Sequence, residues 1–310
     1  MKRKMLNVPK GGYDGMKGFT IVEFLVAGLL SVIVLIAVVS SYFTSRKLND
    51  AANERLAIQQ DLRNAATLIV RDARMAGSFG CFNMSEHTEK DVVFDVAQKN
   101  RPFSLKGSSA NKLIPIAESL NIGYQGFAQV RPALIFQYGI DDVNASAETT
   151  VVSSCGVISK PGKQIPTLED AKKELKIQNS GKEQNGNIAR QRHVVNAYAV
   201  GRIAGEEGLF RFQLDDKGKW GNPQLLVKKV KRMDVRYIYV FGCPEDEDAG
   251  KEEQFKYTDR FDRFVTPAGV EVLLDSGLDA KIAASSDNSI YAYRINATIR
   301  GGNVCANRTL

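Results

Sequence analysis

The stretch "MKGFTIVEFLVAGLLSVIVLIAVVSSYF", residues 16–43, places one carboxylate, Glu23, near the start of an otherwise uncharged apolar run. No charged side chain occurs over the 22 residues 24–45. At about 1.5 Å per residue they make about 33 Å of helix, enough to cross a hydrocarbon core of about 30 Å. A secretory signal has an apolar core of only about 7–15 residues and ends at a small-x-small cleavage site. This run is longer, and "SSYFTSRKL" at its end is a poor cut site. The expectation is a membrane-spanning helix. Holding a charge in lipid costs roughly 3 kcal/mol or more and usually marks a function, so Glu23 needs a partner.

The formal charge of +7 is unevenly placed along the 310 residues. Lys2, Arg3, Lys4, Lys10 and Lys17 stand against Asp14 alone in residues 1–18, a net +4 that leaves +3 for the remainder. Only Arg46 and Lys47 follow the run closely, so the positive-inside bias keeps the N-terminus cytoplasmic and exports the bulk. Because the basic excess belongs largely to the leader, it argues little for nucleic-acid binding. The aromatic residues are scattered and form no basic stacking groove, so no nucleic acid is expected as a partner. A hydrophobic fraction of 44% with 25% charged residues describes a foldable chain of one or two domains rather than a disordered one.

Gly18 sits at the junction of leader and run, where a protease on the cytoplasmic face could cut. Glu23 would then be the fifth residue, one helical turn from a new amine on Phe19. These residues, "KGFTIVEFLVA", resemble the class III signal of type IV pilins: Gly before the cut, Phe first in the mature chain, Glu fifth. The resemblance implies cleavage between Gly18 and Phe19 by a prepilin peptidase, and methylation of the Phe19 amine. It also implies that Glu23 pairs with the N-terminal amine of a neighbouring subunit in a filament. The 18-residue leader is longer than is usual in the family, and Met5 or Met16 are alternative starts. A one-pass envelope protein or sensor accounts for the same run but leaves Gly18 and Glu23 unexplained.

Beyond the run, Leu48, Ala51, Arg55, Ile58, Leu62, Ala65 and Ile69 recur at alternating spacings of 3 and 4, the stripe of an amphipathic helix. The pattern reaches about Ala76, and "GSFG" from Gly77 supplies a stop. Residues 48–76 are expected to pack on their own globular domain. After Cys81 come short alternating runs bounded by Gly, Pro and Asn, with strand candidates at 133–139, 149–154, 193–200, 208–214, 224–242, 269–276 and 289–301. Within the fifth of these, "LLVKKVKRM" reads as either a short helix or a strand–turn element. The polar stretches 159–192 and 244–263 read as surface insertions, the first with one short helix, "LEDAKKEL".

The fold class is therefore α+β, a long N-terminal helix packed on a mainly antiparallel sheet. The divisions fall at 1–18 (leader), 19–45 (membrane helix), 46–76 (its amphipathic continuation) and 77–310 (exported β-rich domain). "LLVKKVKRMDVRYIYVFG" followed by "YAYRINATIRG" resembles the PilW class of minor pilins and the related J-type pseudopilins of type II secretion. That likeness implies a pilin-like fold at or near a pilus tip. Its implied partners are other minor pilins, the major pilin, the prepilin peptidase, the inner-membrane assembly platform and inner-membrane lipid.

Cys81, Cys155, Cys243 and Cys305 all follow the run and show none of the short spacings of zinc sites. In an exported domain they suit two disulfides with three possible pairings. Cys81–Cys155 with Cys243–Cys305 is favoured, because each bridge would close one half of the domain. The sequence lacks His-Glu-x-x-His, Gly-x-Ser-x-Gly and a phosphate-binding glycine loop. "SANK" (109–112) and "SDN" (286–288) match two motifs of penicillin-recognising enzymes, but Lys-Thr-Gly is missing. His87 and His193 are far apart, and the consecutive acids 245–248 lack the alternating spacing of a calcium loop. No enzymatic activity, cofactor or metal is expected.

Overall fold

The computed structural model describes residues 18, 20–93, 113–142, 144–176, 187–241, 254–262, 264–275 and 293–299. The chain divides into two compact units, Met1–Ala57 and Ile58–Leu310. The first helix, α1, spans Ile21–Met75. Every residue of it up to Ala57 is exposed, so this apolar stretch gains nothing from the protein's own core. Its hydroxyls fold back on the helix: Ser31 Oγ donates to the Ala27 carbonyl at 2.7 Å and Thr44 Oγ1 to that of Ser40 at 2.9 Å. Such back-bonding satisfies polar side chains where water is absent. By length and composition α1 is a candidate single membrane span.

In the second unit α1 turns its stripe inward. Ile58, Leu62, Ala65 and Ile69 are buried, whereas Leu48, Ala51 and Arg55 of the same expected stripe are exposed. Burial along the stripe thus begins ten residues later than the periodicity alone suggests. The helix ends at Met75, two residues before Gly77, whose φ of +79° only glycine adopts without strain. The Gly77 amide donates to the Gln137 carbonyl at 2.8 Å and turns the chain onto the sheet.

Fifteen strands and a short helix follow among the described residues: β1 (Ser78–Phe79), β2 (Phe82–Asn83), β3 (Val92–Val93), β4 (Ile116–Ser119), β5 (Phe127–Gln129), β6 (Ala133–Ile140), β7 (Thr150–Ser153), β8 (Ile158–Ser159), α2 (Leu168–Glu174), β9 (Ala189–Ile203), β10 (Glu206–Leu214), β11 (Trp220–Lys228), β12 (Arg232–Phe241), β13 (Gln254–Thr258), β14 (Gly269–Asp275) and β15 (Tyr293–Thr298). They form a β1–β2 hairpin, a nine-stranded sheet and a four-stranded sheet ordered β13-β12-β14-β15. All pairings are antiparallel except β3 with β8. The long β9 organises the large sheet, pairing with β5, β6, β7 and β10.

Alternation along β9 decides what each face does. Asn196, Tyr198 and Val200 point toward α1, joined by Leu134 and Phe136 of β6 and Leu209 of β10, and this face shares one core with β12, β14 and β15. Ala197 and Ala199 point the other way, into an aromatic cluster with Phe210 and Phe212. Gly201 is needed where it stands: a Cβ there would collide with the Ala128 carbonyl and the Phe127 ring of β5.

Several segments depart from expectation. "LLVKKVKRM" is a strand and turn, with Lys229 at a φ of +61° between β11 and β12. The stretch 244–263 includes β13, which pairs with β12 rather than lying wholly in a solvated insertion. The stretch 159–192 is not purely a surface excursion either. Ile165, Ala171 and Leu175 bury with Val152 in a satellite core, and residues 189–192 already belong to β9. β1 to β5 and β8 lie outside the expected strands, and none of them exceeds four residues.

Candidate functional site

The N-terminal positions come first. Gly18 is exposed, and a Cβ added there would meet nothing within 4 Å, so the backbone is accessible. Phe19 lies outside the described residues. Glu23 stands in the first turn of α1 and accepts from both the amide and the hydroxyl of Thr20 at 2.9 Å. The Glu23 amide in turn donates to Thr20 Oγ1 at 3.3 Å. This reciprocal pair is a capping box, which satisfies two backbone donors at the helix start. Glu23 thus has a neutral partner within its own chain, which the sequence reading did not foresee.

Cys81, in the β1–β2 turn, is joined to Cys155, in the β7–β8 turn, the first of the two bridges favoured from the sequence. Buried Ser153 Oγ donates to the Phe79 carbonyl at 2.7 Å beside the bridge, so the hairpin after α1 is tied to the large sheet twice. Cys243 and Cys305 lie outside the described residues, as do 109–112, 245–248 and 286–288. His87 stacks on Phe82 and lies 3.5 Å from Asp91. His193 is buried 5.5 Å from Phe79, and burial pushes its imidazole down to about 3, which keeps the ring neutral; its Nε2 lies 3.1 Å from Gln137 Oε1. The two histidines do not share a site. Among the described residues, no group of three or more His, Cys, Asp or Glu converges as metal ligands would.

The densest polar arrangement is one the sequence reading missed. Asp72, next on the inward stripe after Ile69, is fully buried. Its Oδ1 accepts from the Tyr138 hydroxyl at 2.9 Å and from Arg71 Nε and Nη2 at 3.2 and 3.1 Å. Its Oδ2 accepts from the Tyr198 hydroxyl at 2.6 Å and Asn196 Nδ2 at 2.8 Å, with Arg211 Nη2 at 3.5 Å. The donors come from α1, β6, β9 and β10, and strand register brings them together: Arg211 pairs with Tyr198 across β9–β10, and Phe136, two residues before Tyr138, pairs with Asn196. A buried carboxylate is tolerable only when paired and hydrogen-bonded, and both conditions hold here. Burial, then the Asp72 charge, pushes the Tyr138 hydroxyl up to about 12 and raises that of Tyr198 as well. The missed signal was the spacing itself, since three residues beyond Ile69 is Asp72.

A second carboxylate links the sheets. Tyr237 of β12, buried, donates to Glu118 of β4 at 2.6 Å, and Arg131 lies 3.9 Å from Asp234 nearby. Glu118, Arg131 and Asp234 line a polar cleft of about 720 Å³ together with Arg232, Arg236 and Tyr257.

Comparison of the chain with protein-family models and with curated proteins finds no match.

Proposed function

We propose that this chain is a minor pilin of a type IV pilus, made as an inner-membrane protein and assembled with other minor pilins and the major pilin at or near the filament tip. The observation that carries this reading is the N-terminal helix. Every side chain from Ile21 to Ala57 is exposed, the apolar stretch holds one acid, and that acid lies five residues beyond an accessible Gly18. A surface of this kind is unstable in water and suits either lipid or a packed bundle of identical helices. The mechanism is transfer from one to the other: a prepilin peptidase cuts after Gly18, the Phe19 amine is methylated, and the assembly platform passes the helix from bilayer to filament. In the filament, Glu23 pairs with the amine of a neighbour, and this pair fixes the register of the helices. A minor pseudopilin of type II secretion shares the same signal and chemistry.

The capping box favours a second reading. Thr20 already satisfies Glu23, so a single-pass envelope protein needs no filament to explain the acid. Both Thr20 and Glu23 remain after a cut at Gly18, and the cap therefore belongs to the membrane-bound state under either reading. Shearing and purifying appendages from the native host, followed by peptide mass spectrometry, tests the proposal. Peptides of the second unit in the filament fraction support it. Their confinement to the membrane fraction, in cells that assemble filaments without the protein, overturns it.

A further inference from the structure

We propose that the α1-facing side of the nine-stranded sheet carries a carboxylate-binding site, built from Tyr138, Asn196, Tyr198 and Arg211, whose resident ligand is the chain's own Asp72. Recognition of that carboxylate, beyond apolar packing, holds the last turns of α1 at a single axial and rotational position.

Three observations carry this. The set is one-sided in its chemistry: two hydroxyls, an amide NH₂ and a guanidinium all donate toward the same two oxygens. The Arg211 side chain is only 14% exposed, so it needs an anion at this point. The Asn196 Oδ1 and Arg211 Nε atoms are buried without a hydrogen-bond partner, and the one bond among the four donors, Asn196 Nδ2 to the Tyr138 hydroxyl at 3.2 Å, is longer than the bonds that both make to the carboxylate.

The apolar stripe alone does not define the register. Sliding α1 by one turn, about 5.4 Å, replaces Ile69 with Ala65 or Ala73 against the same strands, a change of shape but not of polarity. The same slip carries Asp72 away from its donors, leaving a buried anion and a nearly buried cation uncompensated. Only one position of the helix satisfies both.

Full-length protein in detergent tests the assignment through chemical rescue, with formate as the probe. Asp72→Ala opens a space ringed by the donors. Its thermal midpoint is expected to fall by about 10 °C, as for loss of one partner of a buried ion pair in a domain of this size. Formate should raise that midpoint while chloride at equal ionic strength does not, and formate should leave the wild type unmoved. Adding Tyr198→Phe to Asp72→Ala should weaken the formate response. If Asp72→Ala does not fold from the membrane extract, refolding yield in formate against chloride reads the same site. An equal response to the two anions, or the same formate shift in wild type and variant, overturns the proposal. In Asp72→Asn, hydrogen exchange should quicken over residues 66–76 before it quickens in β12 and β14, and a uniform change would count against a local site.

Discussion

The Tyr198 hydroxyl donates to Asp72 Oδ2 across 2.6 Å, joining the centre of the largest sheet to the end of the first helix over 126 residues of sequence. The bond is short because its acceptor is charged and shielded from water. Hydrogen bonds to charged groups contribute about 1.5–3 kcal/mol, and removing one partner strands the other. A double-mutant cycle of Tyr198→Phe and Asp72→Asn should therefore give a coupling energy of about 1–2 kcal/mol in chemical denaturation. Additive losses would mean that the two residues act separately.

Alkaline stability depends on the tyrosines of this network and on two more buried in β12. The Tyr138 and Tyr239 hydroxyls are held up to about 12, burial being the largest cause in each, against about 10 in an unfolded chain. Tyr198 and Tyr237 are raised too. The native state keeps protons that the unfolded chain releases. Their contribution is thus complete below about pH 10 and is lost as pH rises through 10–12. Stability measured against pH should fall over that window, with phenolate absorbance from these residues developing alongside unfolding. Tyr138→Phe should fall less steeply than wild type, and an identical slope would remove Tyr138 from the account.

The Cys81–Cys155 bridge closes a long loop, with 74 residues of sequence separation. On the chain-entropy view such a bridge contributes about 4 kcal/mol by restricting the unfolded chain. Cys81→Ser with Cys155→Ser should lower stability by about 2–4 kcal/mol in denaturant. Exchange protection should be lost first at the β1–β2 hairpin. A variant as stable as wild type would show that the Ser153–Phe79 contact alone secures this corner.

Much of the fold was legible because its elements are long and periodic. β9, β10, β12 and β14 each run for seven residues or more, and their candidate runs overlap the observed strands. The inward stripe of α1 was legible only in part. Periodicity reports which residues share a face, but it cannot say where along the helix that face becomes buried, and burial starts at Ile58 rather than Leu48. Asp72 was overlooked because a charged residue normally ends an apolar stripe. Its burial depends on Tyr138, Asn196, Tyr198 and Arg211, which are neighbours only after the sheet has formed. The Thr20–Glu23 cap is legible as a Thr followed three residues later by a Glu at a helix start, but an acid in an apolar run points equally to a partner on another chain.

The capping box allows the two roles of Glu23 to be separated. Glu23→Gln keeps an acceptor for the Thr20 amide and removes the charge, whereas Glu23→Val removes both. Both variants should be processed normally. Neither should enter filaments if the charge pairs with a neighbour's amine. Recovery of Glu23→Gln in filaments at the wild-type level would assign the residue to helix capping alone.

The proposal rests on a mature chain that begins at a processed and methylated Phe19. Its most direct test is the mass of the N-terminal peptide from protein expressed with and without a prepilin peptidase. The account predicts a chain beginning at N-methylated Phe19 when the peptidase is present, and an intact leader when it is absent. An intact 1–18 segment in both preparations would contradict it.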